Sequence, residues 1–241
     1  MKDMLSQKEM KELVGKSAVD SLIDKGLLVS GMKLGLGTGS TAMPAVKRIA
    51  ERIADGTLKN IKAVPTSFQT QIACENFGIP VFTLNAKEIA GSLDLAIDGA
   101  DEITSEKFLI KGGGAAHLQE KLIEYNAKIL VIVADESKKV LTLGTKFPLP
   151  VEVIPEGRVS VTAALEKLGA KCTVREGIKK AGPVITDNGN IIIDCIWEKP
   201  VDPVKMEMAI NDIVGVIENG FFTKNIPICF ISHADGTVEN F

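Results

Sequence analysis

Apolar and polar residues follow one another along the first part of the chain in a way that predicts helices and strands in turn. Met10, Val14 and Leu22 recur at helical spacing, and this stripe predicts a helix between residues 5 and 28. The apolar run MKLGLG, which begins at Met32, is short and ends in glycines, so it predicts a strand. A helix followed by a short buried strand is typical of the start of an α/β domain.

The alternation continues to the middle of the chain. Short apolar runs bounded by Gly, Pro or polar residues favour strands, and longer amphipathic stretches favour helices. Helices are predicted at residues 41–56, 67–78 and about 115–128, and strands at residues 61–64, 79–84, 93–97, 108–110 and 129–133. The pattern predicts an α/β fold with a Rossmann-like parallel sheet that carries helices on both faces.

A second, smaller domain is predicted where the composition changes. Three prolines stand between Pro148 and Pro155, and the strict alternation of strand and helix stops there, so we place a boundary near Lys146. The next segment predicts an α+β domain of ferredoxin-like type, with Asn188-Gly189 as a hairpin turn. Its elements are a helix at 159–168, strands at 170–176, 183–187 and 190–197, and a helix at 206–220.

The last apolar run, residues 226–236, is predicted to rejoin the sheet of the first domain, because it is apolar enough to be buried. The Rossmann-like domain then comprises residues 1–146 and 222–241, and the smaller domain comprises residues 147–221.

Charge and composition exclude several classes of partner. The 241 residues include 28 Lys and Arg against 31 Asp and Glu, a formal net charge of -3. This balance argues against a general nucleic-acid surface, so an anionic ligand has to be held by local lysines and backbone amides. No run approaches the ~20 apolar residues of a membrane span, and the N-terminus lacks the apolar core of a signal peptide. We expect a cytoplasmic protein that binds neither nucleic acid nor membrane.

Cysteine and histidine usage narrows the chemistry further. Cys74, Cys172, Cys195 and Cys229 have no CxxC spacing, which fits reduced thiols in a cytosol. The chain has 2 histidines and no Cys/His cluster at zinc-ligand spacing, so we expect no metal site.

Glycine-rich or polar segments follow four of the predicted strands. They are GTGST (37–41), DGADE (98–102), KGGG (111–114) and DESK (135–138). In open parallel sheets, ligands bind at the carboxyl ends of the strands. We therefore expect the functional site to be made from these four segments.

GTGSTA predicts an anion-binding cradle, because backbone amides and the positive end of the following helix converge there. Gly37, Gly39 and Ala42 also match the dinucleotide fingerprint G-x-G-x-x-A. That fingerprint needs a carboxylate at the end of the second strand, where Thr66 and Ser67 stand instead. No lysine follows the glycines as in a Walker motif. A glycine turn with a Ser or Thr cap is the structural alternative.

Asp98 and Asp101 suit acid-base chemistry or the binding of sugar hydroxyls, although the same residues are also typical of an Asp-Gly turn or a helix cap.

Lys111 adds a full positive charge next to glycines 112–114, whose amides can approach a ligand closely. A helix predicted from about Ala115 points its positive end at the same place. Glu120 alone would be a surface residue of that helix; convergence of these side chains at strand ends favours a functional site. His117 is predicted to be packed or partly exposed rather than catalytic.

Four motifs together carry a resemblance to a known family. GLGTGSTA, DGADEI, KGGGAA with a following Glu, and DESKKV...LGTKFPLPVEV, in this order and spacing, closely resemble the ribose-5-phosphate isomerases of type A. The resemblance covers roughly the whole chain. It implies interconversion of ribose 5-phosphate and ribulose 5-phosphate in the pentose phosphate pathway, without a metal or organic cofactor, by a homodimer or homotetramer.

The resemblance also assigns residues. Glu120 falls on the family's general base, and Asp98, Asp101 and Lys111 match its other active-site residues. Lys11 matches an N-terminal phosphate contact. The family's substrate-binding segments match Thr38, Gly39, Ser40, Thr41, Asp98, Gly99, Ala100, Asp101, Lys111, Gly112, Gly113, Gly114 and Lys138.

The chemistry of the isomerisation agrees with these residue types. A carboxylate, here Glu120, can move the proton between two carbons, while Lys111 and the amides of residues 112–114 stabilise the enediolate oxygen. Asp98 would assist ring opening, and Asp101 would orient hydroxyls or Lys111.

The alternative functions are another sugar-phosphate enzyme or a coenzyme A transferase, a sugar-phosphate-sensing domain and, last, a dehydrogenase. A sensor would tolerate loss of Glu120, and a transferase would use it as a nucleophile.

Overall fold

The computed structural model describes residues 4–241, which form two compact units. The first unit holds residues 4–99, Gln119–Lys138 and Asn225–Phe241, and the second holds Ala100–Leu118 and Lys139–Lys224. Residues 1–3 of the predicted first domain lie outside the described residues.

The sequence prediction places residues 100–118, 139–146 and 222–224 in the first domain, whereas they belong to the second unit. Two short strands within 100–118 form a sheet with residues 221–222. Glu102 is buried and accepts hydrogen bonds from the amides of Gly144 and Lys146, which ties the second segment to the same unit. The boundaries of independently folding domains stay a prediction.

Residues 4–241 form six α-helices and thirteen strands, and none of these helices is both long enough and apolar enough to cross a membrane. The helices are α1 (Gln7–Asp24), α2 (Gly39–Ala54), α3 (Phe68–Asn76), α4 (His117–Glu124), α5 (Arg158–Lys167) and α6 (Pro203–Asn211). The strands are β1 (Lys33–Leu36), β2 (Lys62–Pro65), β3 (Leu93–Asp98), β4 (Glu102–Ile103), β5 (Leu109–Ile110), β6 (Ala127–Asp135), β7 (Leu149–Val153), β8 (Lys171–Val174), β9 (Ile191–Ile196), β10 (Val216–Asn219), β11 (Phe221–Phe222), β12 (Ile228–Ser232) and β13 (Val238–Asn240).

The first unit is built on a six-stranded sheet in the order β13-β12-β6-β3-β1-β2. Five strands are parallel, and β13 is added antiparallel to β12 at one edge. The winding reverses between β1 and β3, because the chain goes from β1 outwards to β2 and then returns to the other side. In such sheets the ligand binds at the carboxyl ends of the strands that flank this reversal. The predicted Rossmann-like α/β fold is confirmed, and so is the return of the last apolar run to the first sheet.

Helices cover both faces of this sheet, as predicted. Ala63 and Val64 are neighbours on β2 and therefore point to opposite faces. Ala63 belongs to the core that includes Val14 of α1 and Val46 of α2. Val64 packs instead in a cluster with Ile123 of α4. The two helical layers thus lie on opposite sides of β2.

Helix α4 comes close to the sheet because Gly35 of β1 has no side chain. A Cβ atom built on Gly35 would lie 2.6 Å from Cγ2 of Ile123 and 3.0 Å from Cβ of Ala96. Packed atoms do not approach so closely, so a larger residue would push α4 away from β1. The location of Glu120, one turn before Ile123, therefore depends on a glycine inside a strand.

The second unit contains a four-stranded antiparallel sheet in the order β10-β7-β9-β8. Along the chain its elements run strand, helix, strand, strand, helix, strand, with the first strand between the third and the fourth. This is the ferredoxin-like arrangement that the sequence predicts. One face of the sheet packs on α5 and α6 through Val151, Ile193, Val161 and Ile210.

Three predicted strands lie elsewhere or are reduced. Residues 183–187 form only isolated bridges, Pro183 with Glu176 and Ile185 with Ile191. Residues 79–84 form only an isolated bridge between Val81 and Ala63, with Phe82 donating to the Ala63 carbonyl at 2.8 Å. The strand that precedes Lys111 is β5, and it pairs in a separate three-stranded sheet in the order β11-β5-β4. The KGGG segment therefore does not follow a strand of the parallel sheet, which corrects one premise of the sequence prediction.

The predicted helix at 206–220 ends early. Helix α6 stops at Asn211, and the apolar residues beyond it form β10, which pairs with β7. Gly215 has a φ of +103° and turns the chain between the two elements. The apolar periodicity of this stretch fits a helix as well as a strand, and only the pairing with β7 decides between them.

We expect the stability of the first unit to depend on pH through His233. Its ring nitrogens lie 2.8 Å from the carboxylate of Glu136 and 3.2 Å from that of Glu239. The hydrogen bond to Glu136 is the largest cause that raises the pKa of His233 above its ordinary value; burial opposes it, and the hydrogen bond to Glu239 adds a further increase. A raised pKa means that the stabilisation is complete below about pH 6.5 and is lost as pH rises through the higher folded-state pKa.

The variant His233→Gln should therefore melt at a lower temperature than the wild type at pH 6, by less than about 1 kcal/mol in free energy because the group is near the surface. Thermal unfolding followed by circular dichroism between pH 5.5 and 9 measures this. The difference should shrink towards pH 9, and a difference that is constant across the range would contradict the assignment.

Candidate active site

The carboxyl ends of β1 and β3 are joined by the carboxylate of Asp98. Its Oδ1 accepts hydrogen bonds from the amide of Thr38 at 3.0 Å and from the amide of Gly99 at 2.7 Å. Asp98 is 1% exposed. Since Thr38 is the N-cap of α2, the charge of Asp98 also lies at the positive end of that helix. The structure thus brings Asp98, Thr38 and Gly99 together, as the sequence predicts.

Gly37 makes this approach possible. A Cβ atom on Gly37 would lie 2.0 Å from Oδ1 of Asp98 and 2.6 Å from the Asp98 Cα atom. No side chain fits there while both strands keep their positions. The first glycine of the GTGST segment is therefore required by the neighbouring aspartate.

A cluster of hydroxyl groups surrounds Thr38. Its Oγ1 lies 2.6 Å from the hydroxyl of Thr66 and 2.7 Å from that of Ser67, at the end of β2. The hydroxyl of Thr70 donates to the carbonyl of Gly37 at 2.7 Å. These contacts fix the start of α2. They also occupy the strand end where a dinucleotide-binding sheet would need its carboxylate, which disfavours the dehydrogenase alternative.

Lys11 reaches the same loop from α1. Its Nζ donates to the hydroxyl of Ser40 at 3.0 Å. A cavity of about 550 Å³ opens beside this pair, and its lining contains four lysines against one glutamate: Gln7, Lys8, Lys11, Glu12, Lys16, Ser40, Met43, Pro44, Lys47 and Phe77. The excess of positive charge beside the positive end of α2 is suited to an anion such as a phosphate group.

Glu120 lies in the first turn of α4, and it is 5% exposed. The surface alternative, in which Glu120 pairs with Lys121 on a solvated helix face, is therefore wrong. A carboxylate in the first turn is favoured by the helix dipole, which offsets part of the cost of burying its charge.

Lys138 and Thr41 also belong to the first unit. Lys138 is half-buried in the single 3-10 turn that follows β6, and its ammonium has no hydrogen-bond or ion-pair partner among residues 4–241. Thr41 is on the first turn of α2, next to Gly99. The structure therefore brings Thr41 to the Asp98 loop, whereas it pairs Lys138 with none of the other candidates.

The second unit holds Lys111 in an unusual position for a lysine, because the side chain is 2% exposed. Its Nζ lies 5.5 Å from the centre of the Phe222 ring, within the range of a cation-π interaction. Its amide donates to the carbonyl of Gly220 at 3.0 Å, which continues the pairing of β5 with β11. The buried ammonium is thus placed by a sheet and an aromatic ring.

The glycines after Lys111 lie against the same unit. Gly112 has a φ of +105°, and a Cβ atom there would lie 2.7 Å from both Nδ1 of His117 and Cγ of Pro150. Only glycine combines that backbone with such close packing. His117 is fully buried, the first of the two predicted environments.

Asp101 has a different partner from the one expected. Its carboxylate accepts a hydrogen bond from the amide of Gly113 at 2.7 Å. Ala100 and Asp101 begin the first segment of the second unit, directly after Gly99, the last residue of a segment of the first unit. The amide of Gly113 is therefore used within the protein, which leaves Gly112 and Gly114 as the amide donors of the segment.

Comparison with known proteins agrees with the motifs. A family model described as ribose 5-phosphate isomerase A (phosphoriboisomerase A) matches residues 62–236. The chain belongs to the ribose 5-phosphate isomerase A family. A relative in Treponema denticola, named ribose-5-phosphate isomerase A, is 58% identical over 234 residues, which are 96% of this chain and 98% of the relative.

Solved structures of the family have the same fold. The ribose 5-phosphate isomerase A of Methanocaldococcus jannaschii has a TM-score of 0.89 and 42% identity, over 98% of this chain and 99% of that chain. A D-ribose-5-phosphate isomerase in complex with phospho-erythronic acid has a TM-score of 0.90 and 38% identity over the same shares. The family inferred from four motifs is confirmed, while the roles of individual residues stay predictions.

Several polar residues beside the candidate site are absent from the sequence prediction. Thr66, Ser67 and Thr70 surround Thr38, and Gln69 accepts a hydrogen bond from the Gly39 amide at 3.0 Å. The signal for them was the run of hydroxyl and amide side chains directly after β2. Among residues 4–241, no group of three or more His, Cys, Asp or Glu side chains is arranged to hold a metal ion.

The contact between Gly37 and Asp98 leads to a prediction about stability. Gly37→Ala should lower the free energy of unfolding by about 1–3 kcal/mol, because β1 and β3 must move apart to admit the methyl group. Gly99→Ala is the matched control, since its Cβ atom would lie 3.5 Å from Cβ of Thr41 and 3.7 Å from the carbonyl of Val133, which are ordinary contacts. Urea unfolding of both variants checks this; equal loss in the two would contradict it.

Proposed function

We infer that the protein is an aldose-ketose isomerase that interconverts D-ribose 5-phosphate and D-ribulose 5-phosphate, in the non-oxidative branch of the pentose phosphate pathway. Its membership of the family, with 58% identity to a relative over 96% of the chain, carries this conclusion. The burial of Glu120 and of Lys111 supports this conclusion, because ionisable side chains that are shielded from water are common in active sites, whereas exposed ones are common on any surface.

Glu120 is the proton carrier of the proposed mechanism. The open-chain aldose loses a proton from C2, an enediolate forms, and a proton returns to C1. One carboxylate performs both transfers when it is held beside C1 and C2. The proton leaves C2 and returns to C1 on the same face of the planar enediolate. Burial in the first turn of α4 gives Glu120 a fixed position and keeps bulk water from competing for the proton.

Lys111 and the free glycine amides stabilise the negative oxygen of the enediolate. The ammonium of Lys111 is already removed from water, so its attraction for a developing oxyanion is stronger than at a surface. Gly112 and Gly114 supply the amides, since that of Gly113 is bonded to Asp101. A structural relative binds phospho-erythronic acid, whose carboxylate carries its charge where an enediolate does.

The two aspartates have separate tasks in this mechanism. Asp98 assists ring opening and the movement of a proton between the sugar oxygens. Asp101 positions the glycine segment through the Gly113 amide, in addition to any contact with a sugar hydroxyl. Its contribution is therefore partly indirect.

The phosphate group binds at the start of α2. Residues 38–41 provide amides and hydroxyls there, and Lys11 adds a positive charge through its contact with Ser40. Lys138 is a further lysine for the substrate. We also propose that the protein acts without a metal or organic cofactor.

The test of Glu120 compares the wild type with Glu120→Gln, and with Glu88→Gln as an exposed control. Conversion of ribose 5-phosphate is followed by ketose formation in H₂O and, by NMR, in D₂O. We expect kcat of Glu120→Gln to fall by ~10²- to 10⁴-fold with KM nearly unchanged, because the amide cannot accept the proton. Glu88→Gln should behave as the wild type.

Proton transfer through an enediolate also predicts incorporation of deuterium at the reacting carbon. Substrate and product that stay free of deuterium after many turnovers would favour internal hydride transfer and contradict the mechanism. Wild-type turnover in Glu120→Gln would contradict the assignment of the base, and loss of wild-type turnover after treatment with EDTA would contradict the metal-free proposal.

We propose in addition that the protein is a homodimer or a homotetramer, as the resemblance implies. Light scattering coupled to size exclusion should give two or four times the chain mass of 25.8 kDa. A single chain mass at micromolar concentration would contradict it. A cytoplasmic location, expected from four cysteines that form no disulfide bond, also stays a prediction.

A further inference from the structure

Arg175 holds the backbone of the glycine segment 112–114. It follows β8, and its Nη1 donates to the carbonyl of Gly112 at 2.8 Å and to that of Gly113 at 3.2 Å. Its Nε and Nη2 donate to the two carboxylate oxygens of Asp194 at 2.9 Å and 2.5 Å. One guanidinium group thus joins an acidic side chain of β9 to two consecutive peptide carbonyls.

The sheet of the second unit fixes this ion pair. The amide of Arg175 donates to the carbonyl of Ile192 at 2.9 Å, which makes these two residues opposite neighbours. Thr173 and Asp194 form a pair two residues further along. Arg175 and Asp194 are therefore diagonal neighbours on one face of the sheet, with side chains 15% and 19% exposed. A bidentate pair that is largely shielded from water leaves the guanidinium little freedom.

Fixing a carbonyl also fixes the amide of the same peptide, because the two groups point in opposite directions. The carbonyl of Gly112 shares its peptide with the amide of Gly113, which is bonded to Asp101. That peptide is thus held at both ends. The carbonyl of Gly113 shares its peptide with the amide of Gly114, which has no hydrogen-bond partner among residues 4–241. Arg175 therefore determines the direction in which this donor points.

We propose that Arg175, oriented by Asp194, is a positioning residue that prevents the glycine peptides from flipping and keeps the Gly114 amide directed at the enediolate oxygen. The inference rests on the proposed function of this segment. Glycine tolerates backbone angles of either sign, so a peptide between two glycines turns over easily when nothing holds it. A flipped peptide presents a carbonyl to the oxyanion instead of an amide. The loss falls on the transition state and not on substrate binding.

The kinetic test uses Arg175→Ala, Arg175→Lys and Asp194→Asn, with Arg158→Ala as a control for loss of an exposed arginine in the same unit. We expect Arg175→Ala to lower kcat by ~10²-fold with KM nearly unchanged, which is the usual cost of a displaced catalytic group. Arg175→Lys should recover part of kcat because one ammonium reaches one carbonyl. Asp194→Asn should fall between the wild type and Arg175→Ala, and Arg158→Ala should match the wild type.

Two inhibitors separate positioning from general damage. Phospho-erythronic acid has a carboxylate that needs the oxyanion donors, whereas ribitol 5-phosphate has a neutral hydroxyl at that end. Arg175→Ala should bind the acid much more weakly than the wild type and bind ribitol 5-phosphate equally well. Added guanidinium ion at a non-denaturing concentration should restore part of kcat in Arg175→Ala and none in Glu120→Gln. Unchanged kcat, or equal loss of affinity for both inhibitors, would overturn the proposal.

Amide hydrogen exchange tests the clamp independently of turnover. In the wild type, the Gly113 amide should be protected by Asp101, and Arg175→Ala should lower that protection, although the Ala115 amide still donates to the Gly112 carbonyl at 3.0 Å. Retained protection in Arg175→Ala would overturn the clamp even if the variant were inactive. A wild type that fails to isomerise ribose 5-phosphate but shows this exchange difference would contradict the proposed function alone.

Discussion

The carboxylate of Asp98 is the constraint around which the carboxyl edge of the first sheet is organised. A buried carboxylate is costly unless donors replace its water, and here the amides of Thr38 and Gly99 do so. Because Thr38 caps α2, the same oxygen sets the direction in which that helix leaves the sheet. Gly37 has to be a glycine for this reason, and the hydroxyls after β2 gather on Thr38 as a result. The carboxylate of Asp98 thus accounts for the glycine at position 37, the start of α2 and the cluster of hydroxyl groups around Thr38.

Much of the fold follows from periodicity and turn residues alone. The parallel strands and the ferredoxin-like order are predictable because their apolar runs are bounded by Gly, Pro and Asn-Gly signals. The failures occur where a short apolar run suits two structures. Residues 79–84 have strand composition but find only one bridge to Ala63, and the stretch around Val216 has helical spacing but pairs with β7. Whether such a run forms a strand or a helix depends on pairing with residues distant in the sequence, and a local pattern of apolar residues carries no information about that pairing.

The candidate site likewise has features that the sequence predicts and features that only the folded structure shows. Carboxylates, lysines and glycines after strands are unusual, and this pattern is sufficient to single out Asp98 and Lys111 as candidates. Glu120 becomes a candidate only through its proximity to these segments and the family resemblance. Glu120 lies on the helix whose Ile123 packs on Gly35, and Lys111 lies over the ring of Phe222; no rule of helix periodicity indicates that these two side chains are buried. The partner of Asp101 and the reach of Arg175 to two glycine carbonyls depend on side chains that meet only after the second unit has folded.

The order of strands has a consequence for how the chain folds. β6 and β12 are adjacent in the first sheet, yet most of the second unit, Lys139–Lys224, lies between them in the chain. During synthesis, the edge of β6 therefore has no neighbour until the segment from Ile228 has left the ribosome. An unpaired strand edge of apolar residues invites association with other chains. The final residues therefore protect β6, since β12 pairs with its open edge and leaves β13 and β2 as the edges of the sheet.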